Sequence, residues 1–155
     1  CGVVCRLLEF SAADASTACL VDAVLRGDLT ALVCHKLGRL VAASILSNGL
    51  PGQRRQILRV VAGDVQRYSR HRFASTVVAA ALLHCPDDEA GSLAALIMAQ
   101  SGAIVALACH AFGVEVVRAV LEVPKEGAQA LRYLRKASHR VRKDRYGGAL
   151  LEEIG

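Results

Sequence analysis

The stretch His71-Arg-Phe-Ala-Ser-Thr-Val-Val78 decides how this chain folds, because it recurs. Its counterparts are His35-Lys-Leu-Gly-Arg-Leu-Val-Ala42, His110-Ala-Phe-Gly-Val-Glu-Val-Val117 and Asp144-Arg-Tyr-Gly-Gly-Ala-Leu-Leu151. Each opens on His or Asp. Two residues on stands a large apolar residue (Leu37, Phe73, Phe112 or Tyr146), directly followed by a tiny one (Gly38, Ala74, Gly113 or Gly147). Three further on comes an aliphatic, Val41, Val77, Val116 or Leu150. The segments are offset by 36, 39 and 34 residues. Self-similarity at such a period is the mark of a repeat protein, in which each unit buries its apolar face only against its neighbours.

The prolines keep the same phase. There are three, Pro51, Pro86 and Pro124, spaced by 35 and 38 residues, and each follows a copy of the motif by a similar interval. A proline at the first turn of a helix forfeits no hydrogen bond, so each reads as the start of a helix. Asp87, Asp88 and Glu89 after Pro86 suit the positive end of that helix dipole. Val77, Val78, Ala81 and Leu82 have helical spacing, and Leu93, Leu96 and Ile97 read as the inner face of the helix after it. Each repeat thus holds a short helix, a middle helix and a longer third one, spanning roughly 64–70, 73–84 and 86–100 in the best-marked copy. The predicted organisation is a partial repeat over 1–27, repeats over about 28–63, 64–102 and 103–137, and a capping segment over 138–155. Val3, Val4, Leu7 and Leu8 match Val77, Val78, Ala81 and Leu82, so the chain is read as beginning inside a middle helix.

Composition agrees with closely packed helices: 54% of residues are hydrophobic, only 4% are aromatic, and there is no Trp. The most apolar stretch, Ala103 to Val117, is broken by His110 and Glu115 and falls short of a bilayer span of ~20 residues. The six cysteines form no CxxC and no zinc spacing, so they read as free thiols in a reducing compartment. That predicts the cytoplasm, with nucleus or nucleolus as the other settings, and neither metal nor cofactor. His71 and Ser75 at i, i+4 could be mistaken for a base and its nucleophile. The repeat phase explains both, and the recurring histidines read as architectural groups that either bond the backbone or fill a gap between repeats. No enzyme is predicted.

The repeat length, the three-helix plan and the His-x-aromatic-Gly/Ala-x-x-Val-Val core resemble the Pumilio (PUF) family. The stretch over 71–78 is similar to the family's penultimate repeat, and 131–151 is similar to its C-terminal cap. The resemblance implies an all-α fold, a right-handed α-solenoid of three-helix repeats about 36 residues long. Long antiparallel helix pairs would instead mark a HEAT or armadillo array. It also implies a partner, single-stranded RNA on the concave face, where two residues of each middle helix read a base edge and a third stacks between bases. Carried over, the readers are Arg39 and Ala43, Ser75 and Ala79, and Val114 and Arg118, with Leu40, Thr76 and Glu115 as the stackers. Cys1 and Cys5 stand at the equivalent positions of the partial repeat, and Gly148 and Glu152 at those of the cap.

These residues depart from the family's habit of Asn, Ser or Cys paired with Gln or Glu. Ala43 and Ala79 cannot hydrogen-bond a base edge, and Leu40 and Thr76 offer no π-face. Sequence preference is therefore expected to be weak. Lys36, Arg39, Arg72, Arg118 and Arg145 lie on or beside the middle helices and are expected to neutralise phosphates. The net charge of +5 favours the same partner, and seven cations between Arg132 and Arg145 read either as phosphate contacts or as a solvated face. On this reading Arg118→Ala weakens binding and lowers its salt dependence by about one phosphate. The expected role is post-transcriptional regulation by a monomer, with regulatory proteins as further partners on the convex face. The competing reading is a protein-interaction scaffold on the same fold that has lost base readout.

Overall fold

A computed structural model describes all 155 residues and contains thirteen helices and no strand. The first two are α1 (Gly2–Ser11) and α2 (Ala15–Leu25). Three triplets follow: α3 (Leu29–Val33), α4 (Gly38–Asn48) and α5 (Pro51–Gly63); α6 (Val65–Arg70), α7 (Ala74–His84) and α8 (Asp87–Met98); α9 (Ala103–Ala108), α10 (Gly113–Leu121) and α11 (Pro124–Lys136). The chain closes on α12 (Ser138–Val141) and α13 (Arg145–Ile154). Each short helix packs on the middle helix that follows it, and α1, α4, α7, α10 and α13 stack side by side in that order. One continuous apolar core runs from Leu8 to Leu150. This is an all-α solenoid of three-helix repeats.

The recurring motif explains the joints. His71 Nδ1 accepts from the backbone N–H groups of Phe73 and Ala74, at 3.1 Å each. His35 does the same for Leu37 and Gly38 at 3.1 Å, and His110 for Phe112 and Gly113 at 3.1 and 3.2 Å. Asp144 substitutes a carboxylate, taking Tyr146 and Gly147 at 2.8 and 3.0 Å. Each is an N-cap in function, satisfying two of the donors that a helix start leaves unpaired. The tiny residue follows because the preceding short helix comes too near for more. A Cβ on Gly38 would lie 2.4 Å from the Leu32 carbonyl oxygen, and one on Gly113 2.8 Å from that of Leu107.

Pro51 and Pro124 occupy the first turns of α5 and α11, as the sequence predicts, while Pro86 sits one position earlier, as the N-cap of α8. Polar ties add to the packing: between repeats Gln53 donates to Asp22 Oδ1 at 2.9 Å, and within one repeat Gln66 donates to the Ile97 carbonyl at 2.9 Å. Leu93 and Ile97 are buried as predicted, but Leu96 is exposed. The reason is a gap in the outer layer. Helices α2 and α5 pack together, as do α8 and α11, whereas α5 and α8 leave a groove lined by Leu58, Ala62 and Leu96. No helix is long and apolar enough to cross a membrane.

Candidate nucleic-acid interface

The stack of middle helices sets one row of residues against the next. The side chains predicted to read or stack stand on this stack, and the structure treats its two halves differently. At the α4–α7 junction Arg39 reaches across the seam. Its guanidinium lies 5.8 Å from the centre of the Phe73 ring, and its Nη1 donates to Thr76 Oγ1 at 3.4 Å. Arg72 approaches the same ring at 5.3 Å. Two cations flanking one aromatic ring are held by its quadrupole. No carboxylate pairs with Lys36, Arg39 or Arg72. Their charge is open to a ligand.

At the α10–α13 junction the opposite holds. Arg118 forms a fork on Glu153, with Nη2 and Nε donating at 2.7 and 2.8 Å, and its Nη1 also donates to Glu115. The fork holds the Glu153 carboxyl below its ordinary range, chiefly through the hydrogen bond from Arg118, and raises the Arg118 pKa for the same reason. One cation held by two acids leaves this part of the face with a net negative charge. Arg118, expected from sequence as a phosphate contact, is engaged within the protein.

Two predicted readers are covered. Ser75 is 2% exposed and Val114 is 4% exposed. Each is a short side chain that ends inside the packing of the stacked middle helices. Arg39 stands at the same phase but is long enough to carry its charged head out. Ala43 and Ala79 are half-buried, Leu40 and Glu115 are exposed, and the Thr76 hydroxyl donates to the Phe73 carbonyl at 2.7 Å. The His71 lone pair is occupied by two amides, so it does not act on Ser75. The side chains following the caps, Lys36, Arg72 and Arg145, are exposed and share one phase; in the remaining copy the residue is Ala111. All six cysteines are free, and burial pushes the Cys85 thiol up to about 11, aided by Glu89 nearby.

Sequence reasoning missed Phe73 as a platform and Glu153 as a clamp. Glu153 stands 35 residues from Arg118, about one repeat, and that interval was the available signal.

No protein-family model and no curated protein matches the sequence. Solved structures do match. PUF-8 in complex with PBE-RNA superposes with a TM-score of 0.84 at 17% identity, covering 98% of this chain and 44% of that one. The Puf4 RNA-binding domain bound to the HO endonuclease RNA 3′ UTR recognition sequence gives 0.75 at 16%, covering 95% and 46%. The RNA-binding domain of yeast Puf5p bound to AAT2 RNA gives 0.72 at 14%, covering 97% and 43%. The chain spans less than half the length of each. At these identities the likeness is one of fold: the chain has the repeat-solenoid fold of these PUF structures.

Proposed function

We propose that this solenoid binds single-stranded RNA along its concave face with weak sequence preference. The observation that carries the reading is the cluster of Arg39, Arg72 and Phe73: two cations with no acid partner around one partly exposed aromatic ring, with exposed and unpaired Lys36 three residues before Arg39. Such a cluster supplies phosphate neutralisation, and guanidinium planes on which a base can stack. Discrimination between bases needs donors and acceptors aimed at base edges. Two of the predicted second readers are alanines, and two first readers are covered. The solved structures of similar fold are RNA complexes, which supports the choice of polyanion. The role that follows is post-transcriptional, by a monomer in the cytoplasm.

The test is fluorescence anisotropy with a panel of short single-stranded RNAs and a matched duplex, at two salt concentrations. Binding of the single strands, a steep salt dependence and little sequence preference are expected. Arg39→Ala with Arg72→Ala lowers the slope of log Kobs against log salt by about 1.4, two phosphates at ~0.7 each. A marked preference for one sequence refutes weak readout. A folded protein that binds no RNA refutes the reading altogether. The scaffold reading then stands, favoured by exposed Leu40 and Leu83 on helices of the middle stack.

A further inference from the structure

The charge of this chain is unevenly placed. The stretch 132–145 holds seven of the 19 Lys and Arg and one of the 14 Asp and Glu, so it carries +6 and the remaining residues together carry −1. All seven cations are exposed, and none is paired with a carboxylate. The one acid among them, Asp144, is half-buried and occupied in capping α13. The chain's basicity therefore belongs to the end of the solenoid, where α11, α12 and the turn into α13 meet.

Part of the cluster has an internal explanation. Arg135 and Lys136 end α11, where positive charge suits the helix dipole. Arg132 lies a turn before the end of α11, so that dipole does not account for it, and Arg140, Arg142 and Lys143 lie at or just past the end of α12, a helix of only four residues whose dipole is correspondingly small. Holding so many like charges together without counterions costs stability, and a polyanion removes that cost on binding. Five of the seven are arginines, whose planar fork matches phosphate oxygens in pairs. Two exposed tyrosines stand among them, Tyr133 at 43% and Tyr146 at 37%, with the Arg145 guanidinium 5.8 Å from the Tyr146 ring. Arginine interleaved with exposed rings suits a nucleic acid, which presents both phosphates and stacking faces. Arg145 also shares the phase of Lys36 and Arg72, so the patch continues the basic edge of the middle-helix stack.

We infer that the basic end formed by residues 132–145 is a second, sequence-independent RNA site that binds the phosphate backbone flanking the segment on the concave face. It rests on the RNA reading for the identity of the polyanion, and its test separates the two. The full chain is compared with an end variant (R140Q/R142Q/K143Q) and with an edge variant (R39A/R72A), each checked for unchanged helicity. The probes are a short oligouridine sized for the concave face, a long one, and vesicles of phosphatidylserine with phosphatidylcholine. The end variant is expected to bind the short RNA as the wild type does, and to bind the long RNA with a slope shallower by about 2, three contacts at ~0.7 each. Equal slopes on long RNA for wild type and end variant overturn the inference. So does vesicle binding that the end variant loses while its RNA binding stays intact, since the patch then faces a membrane. If the edge variant matches wild type while the end variant loses the long RNA, the concave reading fails and the end site stands.

Discussion

Arg118 gives the sharpest test of how the face is divided, because its sequence position and its structural partners point in opposite directions. The trio of Arg118, Glu115 and Glu153 sums to −1, and both ends of the guanidinium are taken. Removing Arg118 alone would be ambiguous, since it unmasks two carboxylates and repels RNA whether or not the arginine had touched it. The informative variants act on the acids. E115Q/E153Q turns the trio to +1 and frees the fork. If RNA passes α10, one new phosphate contact forms, and the slope of log Kobs against log salt steepens by about 0.7. Over a fourfold rise in salt the variant then loses about 2.6-fold more affinity than the wild type does. The triple variant E115Q/R118Q/E153Q has no contact to gain, and its slope is expected to equal that of the wild type.

Anisotropy titrations at several salt concentrations measure all three proteins. A triple-variant slope below the wild-type value would show that Arg118 already touches phosphate, and would refute the clamp. An unchanged slope for E115Q/E153Q would show that the strand does not reach α10. The clamp has its own signature in carboxyl NMR. The Glu153 titration is expected below the ordinary value of 4.5, so the fork is complete above that pH and opens as pH falls through the depressed midpoint. R118Q should bring the midpoint back up.

Two further predictions concern the joints and the outer layer. His71→Ala removes the acceptor for two amides and should cost about 1 kcal/mol, lowering Tm by about 2–4 °C and speeding exchange of the Phe73 and Ala74 amides. His71→Asp keeps an acceptor, as Asp144 does naturally, and should recover most of the loss; equal losses would mean that ring packing, not capping, matters. Gly127→Ala places a Cβ 2.4 Å from the Leu121 carbonyl oxygen, a backbone atom, so it should destabilise by about 1–3 kcal/mol despite better helix propensity. Gly91→Ala meets only the flexible Glu126 carboxylate, at 3.2 Å, and should gain up to ~1 kcal/mol; urea unfolding of the pair decides, and similar effects at both sites would contradict the packing.

The fold was legible because the residues that build each joint act locally. His71 caps amides two and three residues away, and Gly38 meets a carbonyl six residues back, so every copy must print the same pattern at the same phase. The site was legible only as a set of positions. Whether a position is open depends on what the neighbouring helix brings, about one repeat away in sequence. Arg39 stays open because the next repeat offers Phe73 and Thr76, whereas Arg118 is closed because the next offers Glu153. Ser75 is of a type that the resembled family uses as a first reader, yet the stack covers it, since a short side chain in that seam has no path out. Likewise Leu96 has core spacing but faces the gap where α5 and α8 part.

The same dependence on placement governs charge. A net +5 read from composition suggests a basic binding face, but the last two middle helices carry Glu115, Glu152 and Glu153, with Glu122 capping the end of α10, while the excess cations lie in α11, α12 and the turn into α13. A strand touching both the Arg39–Arg72 cluster and the basic end cannot follow the predicted readers through α10, because that path crosses the acids. The row set by the residues after the caps avoids them, through Lys36, Arg72, neutral Ala111 and Arg145. Ala111→Arg would complete that row. The physics of the row then requires long RNA to bind more tightly and with a steeper slope, by about 0.7, while the short RNA held at the α4–α7 cluster stays unaffected.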